Sequence, residues 1–251
     1  YPGYLDLMPV KGHDGKHILD FGCGPGHDLV GFCEYSDPAS LTGCDVSAAS
    51  IAEAKTRMRL HRGKKKFPLR IKRLRADTVE LPFADASFDY IHSSGVIHHV
   101  PDLQAVLKEF KRILKPNGRI RVMVYNANSI WMHLYVAHIL RYRDNSIPAE
   151  LPIRDAFTRS TDGPDCPIAN CYTVEEFSSI AAASGLKTRL IGAACALSEI
   201  QLAREELQNA LANPKLEAPH REFLQGLTFD GETPLHNGVP AGIDLILEMT
   251  V

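Results

Sequence analysis

Long apolar runs and an excess of charge of one sign are both missing from this sequence of 251 residues. A membrane-spanning helix needs about 20 consecutive apolar residues, which no stretch approaches, and no signal peptide is visible. The formal net charge is only −2, so the composition does not indicate nucleic acid as the main partner. We therefore expect a globular, cytoplasmic protein. Because the chain begins with Tyr1 rather than methionine, we expect that residues precede it.

The chain also lacks the cysteine spacings of a disulfide framework or a zinc site. Its six cysteines include no C-x-x-C pair, which indicates isolated thiols in a reducing compartment and no metal site. One alternative stays open. Cys166 and Cys171 lie in a loop-like region, and they could approach each other to bind a soft metal or a thiophilic substrate.

The most informative stretch is 18–28, with the sequence ILDFGCGPGHD. It predicts a short apolar strand, a turn containing Gly22, Gly24 and Gly26, and the start of a helix. Glycines let the backbone turn sharply and approach a ligand, while a helix N-terminus presents unpaired N–H groups. Asp45 lies 19 residues after Gly26, at the end of the next predicted strand, where an acid suits a ribose diol. These features predict a nucleoside-containing cofactor.

Two residues of this stretch distinguish between nucleoside cofactors. Dinucleotide-binding proteins use G-x-G-x-x-G, whereas here His27 occupies the position of the third glycine. Asp20, just before the turn, would repel a pyrophosphate but suits a cationic ammonium or sulfonium group. The turn therefore favours S-adenosylmethionine over NAD.

Five segments occur in the order seen in a known family. They are LDFGCGPG (19–26), GCDVS (43–47), RAD (75–77), LPFADASFDYIHSSGVIHHVPD (81–102) and RILKPNGRIRV (112–122). Through them the chain resembles class I S-adenosylmethionine-dependent methyltransferases, in particular the group of small-molecule enzymes often labelled type 11. The resemblance covers residues 18–124 closely and a last pair of strands more loosely.

The resemblance implies a role for each cofactor-binding position. The backbone of Gly22–Gly26 would hold the methionine portion, with Asp20 near its amino group and Asp45 on the ribose hydroxyls. Val46 would pack on the adenine face, and Ser93, just past the fourth strand, would face the methyl group. Asp77 and Thr78 would contact the adenine amine. The implied site comprises Asp20, Gly22, Cys23, Gly24, Gly26, Asp45, Val46, Asp77, Thr78 and Ser93.

Strands alternate with helices along residues 17–125, which predicts a doubly wound, mostly parallel sheet. The strands are predicted at 17–21, 41–45, 69–74, 88–92 and 119–125. Helices are predicted from the glycine turn to Tyr35, at 47–61 and from Asp102 to Leu114, where Lys115–Gly118 turns the chain. Ligands bind at the carboxyl ends of such strands. The resemblance implies seven strands, the last of them antiparallel and inserted between its neighbours.

The pattern changes after Tyr125. An apolar helix is predicted at 130–142, a long irregular segment at 143–171, and a helix at 174–184 that the capping box Thr173-x-x-Glu176 begins. A strand at 186–191, a helical insert at 196–226, a polar loop and a strand at 243–251 follow. We expect a single methyltransferase domain over 1–251, with a cofactor-binding core at 17–125 and substrate-cap insertions at 126–172 and 194–241.

The acceptor and the catalytic group are less explicit in the sequence. His98 is a candidate general base because imidazole titrates near neutral pH, although a His-His pair in this family often braces the loop. Polar groups near the predicted crevice or in long loops are candidate substrate contacts: Tyr125, Asn126, Asp162, Tyr172 and His236. The apolar helix around Trp131 could line an acceptor pocket or form a homodimer contact.

These observations predict an enzyme that transfers a methyl group from S-adenosylmethionine to a small molecule and releases S-adenosylhomocysteine. An oxygen or nitrogen acceptor is favoured over carbon, because no signature for carbanion activation is present. Without a basic domain or an N/D-P-P-Y/F motif, we expect no nucleic-acid substrate. Two alternatives remain, a C-methyltransferase and a non-catalytic protein that binds the cofactor.

Overall fold

The computed structural model describes residues 1–63, 65–75, 78, 80–163 and 166–251. They fall into two compact units, which are described separately. The first unit comprises residues 8–123, 177–190 and 247–251, and the second comprises 1–7, 124–176 and 191–246.

The elements are numbered in chain order. The helices are α1 Tyr4–Leu7, α2 His27–Tyr35, α3 Ala48–His61, α4 Leu103–Ile113, α5 Ile153–Thr161, α6 Val174–Ala183, α7 Leu197–Ala212 and α8 Ala218–Gln225, with a 3-10 helix at Ile97–His99 and a π-helix at Trp131–Arg143. The strands are β1 His17–Phe21, β2 Ser40–Asp45, β3 Leu69–Arg73, β4 Phe88–Ser94, β5 Leu114–Asn126, β6 Cys171–Tyr172, β7 Lys187–Ala194, β8 Thr228–Asp230, β9 Thr233–His236, β10 Val239–Pro240 and β11 Asp244–Thr250.

The predicted doubly wound, mostly parallel sheet is confirmed. Its strand order is β3-β2-β1-β4-β5-β11-β7, and β6 adds a short pairing to β5. The pairs β1–β2, β2–β3, β1–β4 and β4–β5 are all parallel. The order reverses at β1, between β2 and β4, which is where ligands bind in open sheets of this kind.

Local sequence explains how the helices of the first unit begin and which face they bury. The Asp102 side chain accepts the Ala105 N–H at 2.9 Å, so it caps α4 as predicted. Ser47 does the same for α3, accepting the Ser50 N–H at 3.2 Å. One face of each helix is buried, comprising Leu103, Leu107, Phe110 and Ile113 in α4 and Ile51, Ala54 and Met58 in α3.

The second unit is built around the π-helix, which contacts α5, α7 and α8. The side chains between these elements form two apolar clusters. One contains Ile130, Leu134, Ala203, Leu207 and Phe223, and the other contains Met132, Val136, Phe157 and Ile243. The apolar helix predicted at 130–142 is therefore a core element of this unit.

Four predictions about the elements are wrong in detail. The segment 143–171 is not irregular throughout, because it contains α5. The fifth strand begins at Leu114 rather than 119, and residues 115–118 bulge from it, since Leu114 pairs with Phe88 and Arg119 with Tyr90. The polar loop before the last strand contains a three-stranded sheet, β10-β9-β8. Ser93 lies within β4 rather than after it.

Candidate functional site

The turn after β1 adopts the backbone conformation that its glycines permit. Gly22, Gly24 and Gly26 have φ values of +76°, +51° and +90°, a region that disfavours side chains. A Cβ on Gly22 would lie 2.3 Å from a methyl group of Val96, whereas a Cβ on Gly24 would meet no atom of the described part of the chain within 4 Å. Gly24 thus leaves open space beside the turn, as a ligand cradle requires.

Asp45 connects the turn to the end of β2. Its Oδ2 accepts the Gly24 N–H at 2.9 Å, and its Oδ1 accepts the Ser47 N–H at 2.8 Å. A carboxylate oxygen can accept more than one hydrogen bond, so each still has capacity for a ribose hydroxyl. The carboxylate is held in place by two backbone groups before any ligand arrives.

A cavity of about 270 Å³ lies in the same unit. Val46, which is 51% exposed, forms one of its apolar walls together with Phe21, Leu74 and Val106. Thr78 also lines it, and the Thr78 Oγ1 accepts the Arg75 N–H at 3.2 Å. Asp77, the other predicted adenine contact, lies outside the described residues. The cavity has the apolar character and the size that a flat base requires.

Asp20 is buried in a cluster of ionisable groups. It is 2% exposed, and its Oδ2 has no hydrogen-bond partner among the described residues. Ligating atoms of Asp20, Asp28 and His92 lie within 4.8 Å of one another, and the His92 Nε2 is 3.1 Å from the Asp28 Oδ2. Burial raises the pKa of Asp20 to about 7, against the opposing effect of His92. A positive group near Asp20 would relieve the cost of its charged form.

The pKa of Asp28 moves in the opposite direction. Burial alone would raise it, but the hydrogen bond from His92 and the charges of His92 and His27 lower it below its ordinary value. The hydrogen bond from His92 therefore favours the charged form of Asp28, and Asp20 is the acid whose charge lacks compensation.

Two other predicted cofactor residues have structural contacts. The Ser93 hydroxyl donates to the Phe21 carbonyl oxygen at 3.0 Å, and the residue is fully buried. Its side chain joins β4 to the end of β1 and does not line an open channel. Cys23 is 6% exposed, and burial raises the pKa of its thiol. Within the turn, Cys23 contributes its backbone, since its N–H donates to the Cys44 carbonyl oxygen at 2.9 Å.

His98 lies in the 3-10 helix and is fully buried. Its ring centroid is 4.1 Å from that of His99. Burial, with a smaller contribution from His99, lowers the pKa of His98 to about 3. The imidazole is therefore neutral at pH 7 and has no exposed surface, which is the environment of a packed ring.

In the second unit, Tyr125 and Asp162 contact each other. The Tyr125 hydroxyl lies 3.1 and 3.0 Å from the two Asp162 carboxylate oxygens and donates to them. Burial, and then the charge of Asp162, raise the pKa of this phenol. Tyr125 also lines a cavity of about 150 Å³ in this unit. These two predicted substrate residues thus lie together.

The remaining predicted substrate residues do not share that arrangement. The Asn126 amide nitrogen donates to the Asn128 and Gly242 carbonyl oxygens, both at 2.9 Å, so both of its hydrogens are used in the fold. Tyr172 is 8% exposed in β6, opposite Asn126. The His236 ring packs on Phe223 with centroids 4.4 Å apart. None of the three lines the cavity beside Tyr125.

Sequence reasoning missed two buried acids of the second unit. Glu199 is 1% exposed and lines the cavity with Tyr125, and Asp244 is 4% exposed in β11. Burial raises the pKa of Glu199 to about 8 and that of Asp244 to about 7. The only signal in the sequence concerned Asp244, an acid that directly follows Gly242-Ile243 at the start of a strand.

Cys166 and Cys171, the two cysteines considered for a soft metal, form no disulfide. Cys171 is buried, with the pKa of its thiol raised by burial to about 11, and Cys166 is half-buried. The Cys166 thiol donates to the Ile168 carbonyl oxygen at 3.3 Å.

The glycine turn, Asp45 at the end of β2 and the sheet order define the first unit as a Rossmann-like methyltransferase fold. Comparison with known proteins agrees: residues 19–120, fewer than half of the chain, match the family described as a methyltransferase domain. This confirms the resemblance seen in the sequence and, with it, the type of cofactor, S-adenosylmethionine. An S-adenosylmethionine-dependent methyltransferase from Mesorhizobium loti has a similar fold. It is 17% identical, with a TM-score of 0.59 over 98% of this chain and 96% of that one.

Curated relatives match about half of the chain. A 27-O-demethylrifamycin SV methyltransferase of Amycolatopsis mediterranei is 32% identical over 114 residues, covering 45% of this chain and 39% of that protein. A ubiquinone/menaquinone biosynthesis C-methyltransferase of Paracoccus denitrificans is 33% identical over 135 residues, covering 54% and 52%. The chain thus matches about half or less of the length of these relatives. Among the described residues, no helix combines the length and apolar character that spanning a membrane requires.

Proposed function

We propose that the protein transfers a methyl group from S-adenosylmethionine to a small-molecule acceptor and releases S-adenosylhomocysteine. The observation that carries the proposal is the open turn at Gly24, fixed to the Asp45 carboxylate beside an apolar cavity of about 270 Å³. Curated relatives include methyltransferases that are named for oxygen and for carbon acceptors. An oxygen or nitrogen acceptor remains the favoured choice, with carbon as the alternative.

The described residues fit this cofactor. The Gly22–Gly26 backbone would hold the methionine portion, with the Asp20 carboxyl group near its ammonium, and Asp45 would accept the ribose hydroxyls. Val46, Thr78 and the cavity they line would take the adenine. The bound cofactor supplies an activated methyl group, so the protein's task is to align the acceptor and exclude water.

The burial of His98 argues against its predicted role as a catalytic base. A neutral ring with no exposed surface does not meet a substrate hydroxyl, and its packing against His99 suits a brace for the loop after β4. Transfer from a sulfonium to an amine does not require a strong base in the protein if the amine arrives neutral. We therefore propose that alignment contributes more to the rate than proton removal.

A binding experiment tests the cofactor assignment separately from the chemistry. S-adenosylhomocysteine titrated into the protein by calorimetry should bind, and Asp45→Ala should weaken that binding strongly. Incubation with cofactor labelled in the methyl group and a panel of acceptors then tests transfer. Tight cofactor binding with no transfer to any acceptor would favour the non-catalytic alternative, and no binding would reject both.

We also propose that the protein works in the cytoplasm. All six cysteines lie among the described residues and form no disulfide, and five of them are 6% exposed or less. Free thiols are typical of a reducing compartment. Equal enrichment of the protein in a membrane or secreted fraction on cell fractionation would contradict this location.

A further inference from the structure

A second cavity, of about 150 Å³, lies within the second unit. Its walls include three aromatic side chains, Tyr1, Tyr125 and Trp131, and one acid, Glu199. Sites for whole small ligands usually enclose about 300–1,000 Å³, so this volume fits a head group rather than a complete molecule.

Two of these rings, Tyr125 and Trp131, are fixed in place by contacts outside the cavity. The Trp131 Nε1–H donates to the Ser160 hydroxyl at 2.9 Å, and its ring lies 4.4 Å from that of Tyr135. Tyr125 is held through its hydroxyl by Asp162 and packs edge-on against Phe157 at 5.7 Å. These contacts fix the positions of both rings, so little side-chain entropy remains to be lost on binding.

A buried acid, Glu199, forms part of the cavity wall. Glu199 is held by the Ala196 N–H at 2.9 Å and the Ile243 N–H at 3.0 Å, and it is 1% exposed. Asp244 follows Ile243 directly and is 4% exposed. Neither lysine nor arginine is among the described residues that line the cavity. Because burial raises the pKa of Glu199 to about 8, its side chain is mostly protonated at pH 7, and a cation beside it would favour the charged form.

Glu199 and Asp244 titrate in a similar way. Burial raises the pKa of both groups, which means that their charged forms lack sufficient compensation.

We propose that this cavity binds the organic ammonium group of the methyl acceptor, between the faces of Tyr125 and Trp131 and the carboxylate of Glu199. Fixed aromatic faces beside a buried carboxylate are the elements with which proteins recognise amines and quaternary ammonium groups. An ammonium group would stabilise the charged form of Glu199, whereas an anionic or a neutral group would not. That the ammonium group belongs to the methyl acceptor rests on the proposed methyl transfer, whereas the binding of an ammonium group in this cavity does not.

The test uses the single tryptophan of the chain, because Trp131 lies in the cavity wall. Choline is titrated into the whole protein without cofactor, and its neutral isostere 3,3-dimethylbutan-1-ol is titrated in parallel. We expect saturable change of tryptophan fluorescence with choline and at least about tenfold weaker binding of the isostere. Equal binding of the two compounds, or no saturable binding of choline at millimolar concentration, would overturn the proposal.

Variants separate the aromatic and charged contributions. Tyr125→Phe keeps the ring face and should change choline affinity less than about threefold, whereas Tyr125→Leu should weaken it about tenfold. Glu199→Gln should weaken it by a similar factor, and circular dichroism checks that it folds. Glu232→Gln, an exposed acid paired with Arg204 outside the cavity, is the matched control and should bind normally. Tyr125→Phe and Tyr125→Leu losing affinity equally would count against the ring face.

The outcome is independent of the cofactor site. If choline binds and S-adenosylhomocysteine does not, the ammonium site stands and the proposed methyl transfer fails. If S-adenosylhomocysteine binds normally and choline does not, the acceptor is not recognised through an ammonium group, and the proposed methyl transfer remains.

Discussion

The Gly24 backbone N–H donates to the Asp45 carboxylate at 2.9 Å, so the turn after β1 and the acid that ends β2 hold each other. The same carboxylate accepts the Ser47 N–H with its other oxygen and thereby contacts the start of α3. Strand pairing supports this contact, because Phe21 lies opposite Cys44 in the parallel pair β1–β2. The proposed ribose-binding acid is therefore positioned before the cofactor arrives, which lowers the ordering cost of binding.

The first prediction concerns the charge of Asp45. Asp45→Asn keeps one acceptor oxygen but loses the charge and places an amide where a backbone N–H donates. Because hydrogen bonds to a charged group contribute about 1.5–3 kcal/mol, binding of S-adenosylhomocysteine should weaken roughly 10- to 150-fold. Isothermal titration calorimetry measures the change. The control Glu53→Gln alters an exposed acid of α3 that pairs with Arg57, and it should bind like the wild type.

The second prediction compares two glycines of the turn. Both have positive φ, so Gly22→Ala and Gly24→Ala each cost about 1 kcal/mol in backbone strain. Gly22→Ala also forces a Cβ to within 2.3 Å of Val96, which adds about 1–3 kcal/mol. Urea denaturation should show the larger loss of unfolding free energy for Gly22→Ala. Adding Val96→Ala should recover part of it, and equal losses for both glycines would show that the clash is absorbed.

The sequence could predict the first unit because its signals are local. The turn glycines, the caps Ser47 and Asp102, and the buried stripes of α3 and α4 depend on residues close together in the chain. The position of β11 between β5 and β7 was also expected, although from the family resemblance and not from periodicity.

The second unit was harder to predict because its elements depend on distant residues. Helix α5 has Pro152 before it and no side-chain cap, so no capping residue marked its start. The Glu199 carboxylate is placed by the Ile243 N–H, 44 residues away in the chain. Ser93 was expected beyond the end of β4 because the strand was predicted two residues too short. It lies within the strand, and its hydroxyl is buried.

The third prediction concerns the pH dependence of stability that Asp20 produces. Its pKa is about 7 in the folded protein and about 3.9 in an unfolded chain, so between these values the folded protein binds one proton more. The stabilising effect of that proton is lost as the pH rises toward 7. Between pH 5 and 7, Asp20 should lower the free energy of unfolding by about 1.4 kcal/mol per pH unit.

Asp20→Asn removes this contribution, so its unfolding free energy should fall less steeply with pH than that of the wild type. Urea denaturation at a series of pH values gives the two slopes. Asp85→Asn, an exposed acid paired with Arg112, should reproduce the slope of the wild type. Identical slopes for the wild type and Asp20→Asn would show that Asp20 is ionised throughout this range.

The last prediction distinguishes a packed from a substrate-facing His98. Its pKa is about 3 in the folded protein and about 6.5 in an unfolded chain, so the unfolded state binds the extra proton. Stability is therefore lost as the pH falls below 6.5, by about 1.4 kcal/mol per pH unit between pH 6 and 4. His98→Gln should show a shallower loss, whereas His61→Gln, which lies on the surface near Glu34, should match the wild type. A His98 ring that titrates near pH 6.5 by NMR would contradict the packed state and would restore its candidacy as the general base.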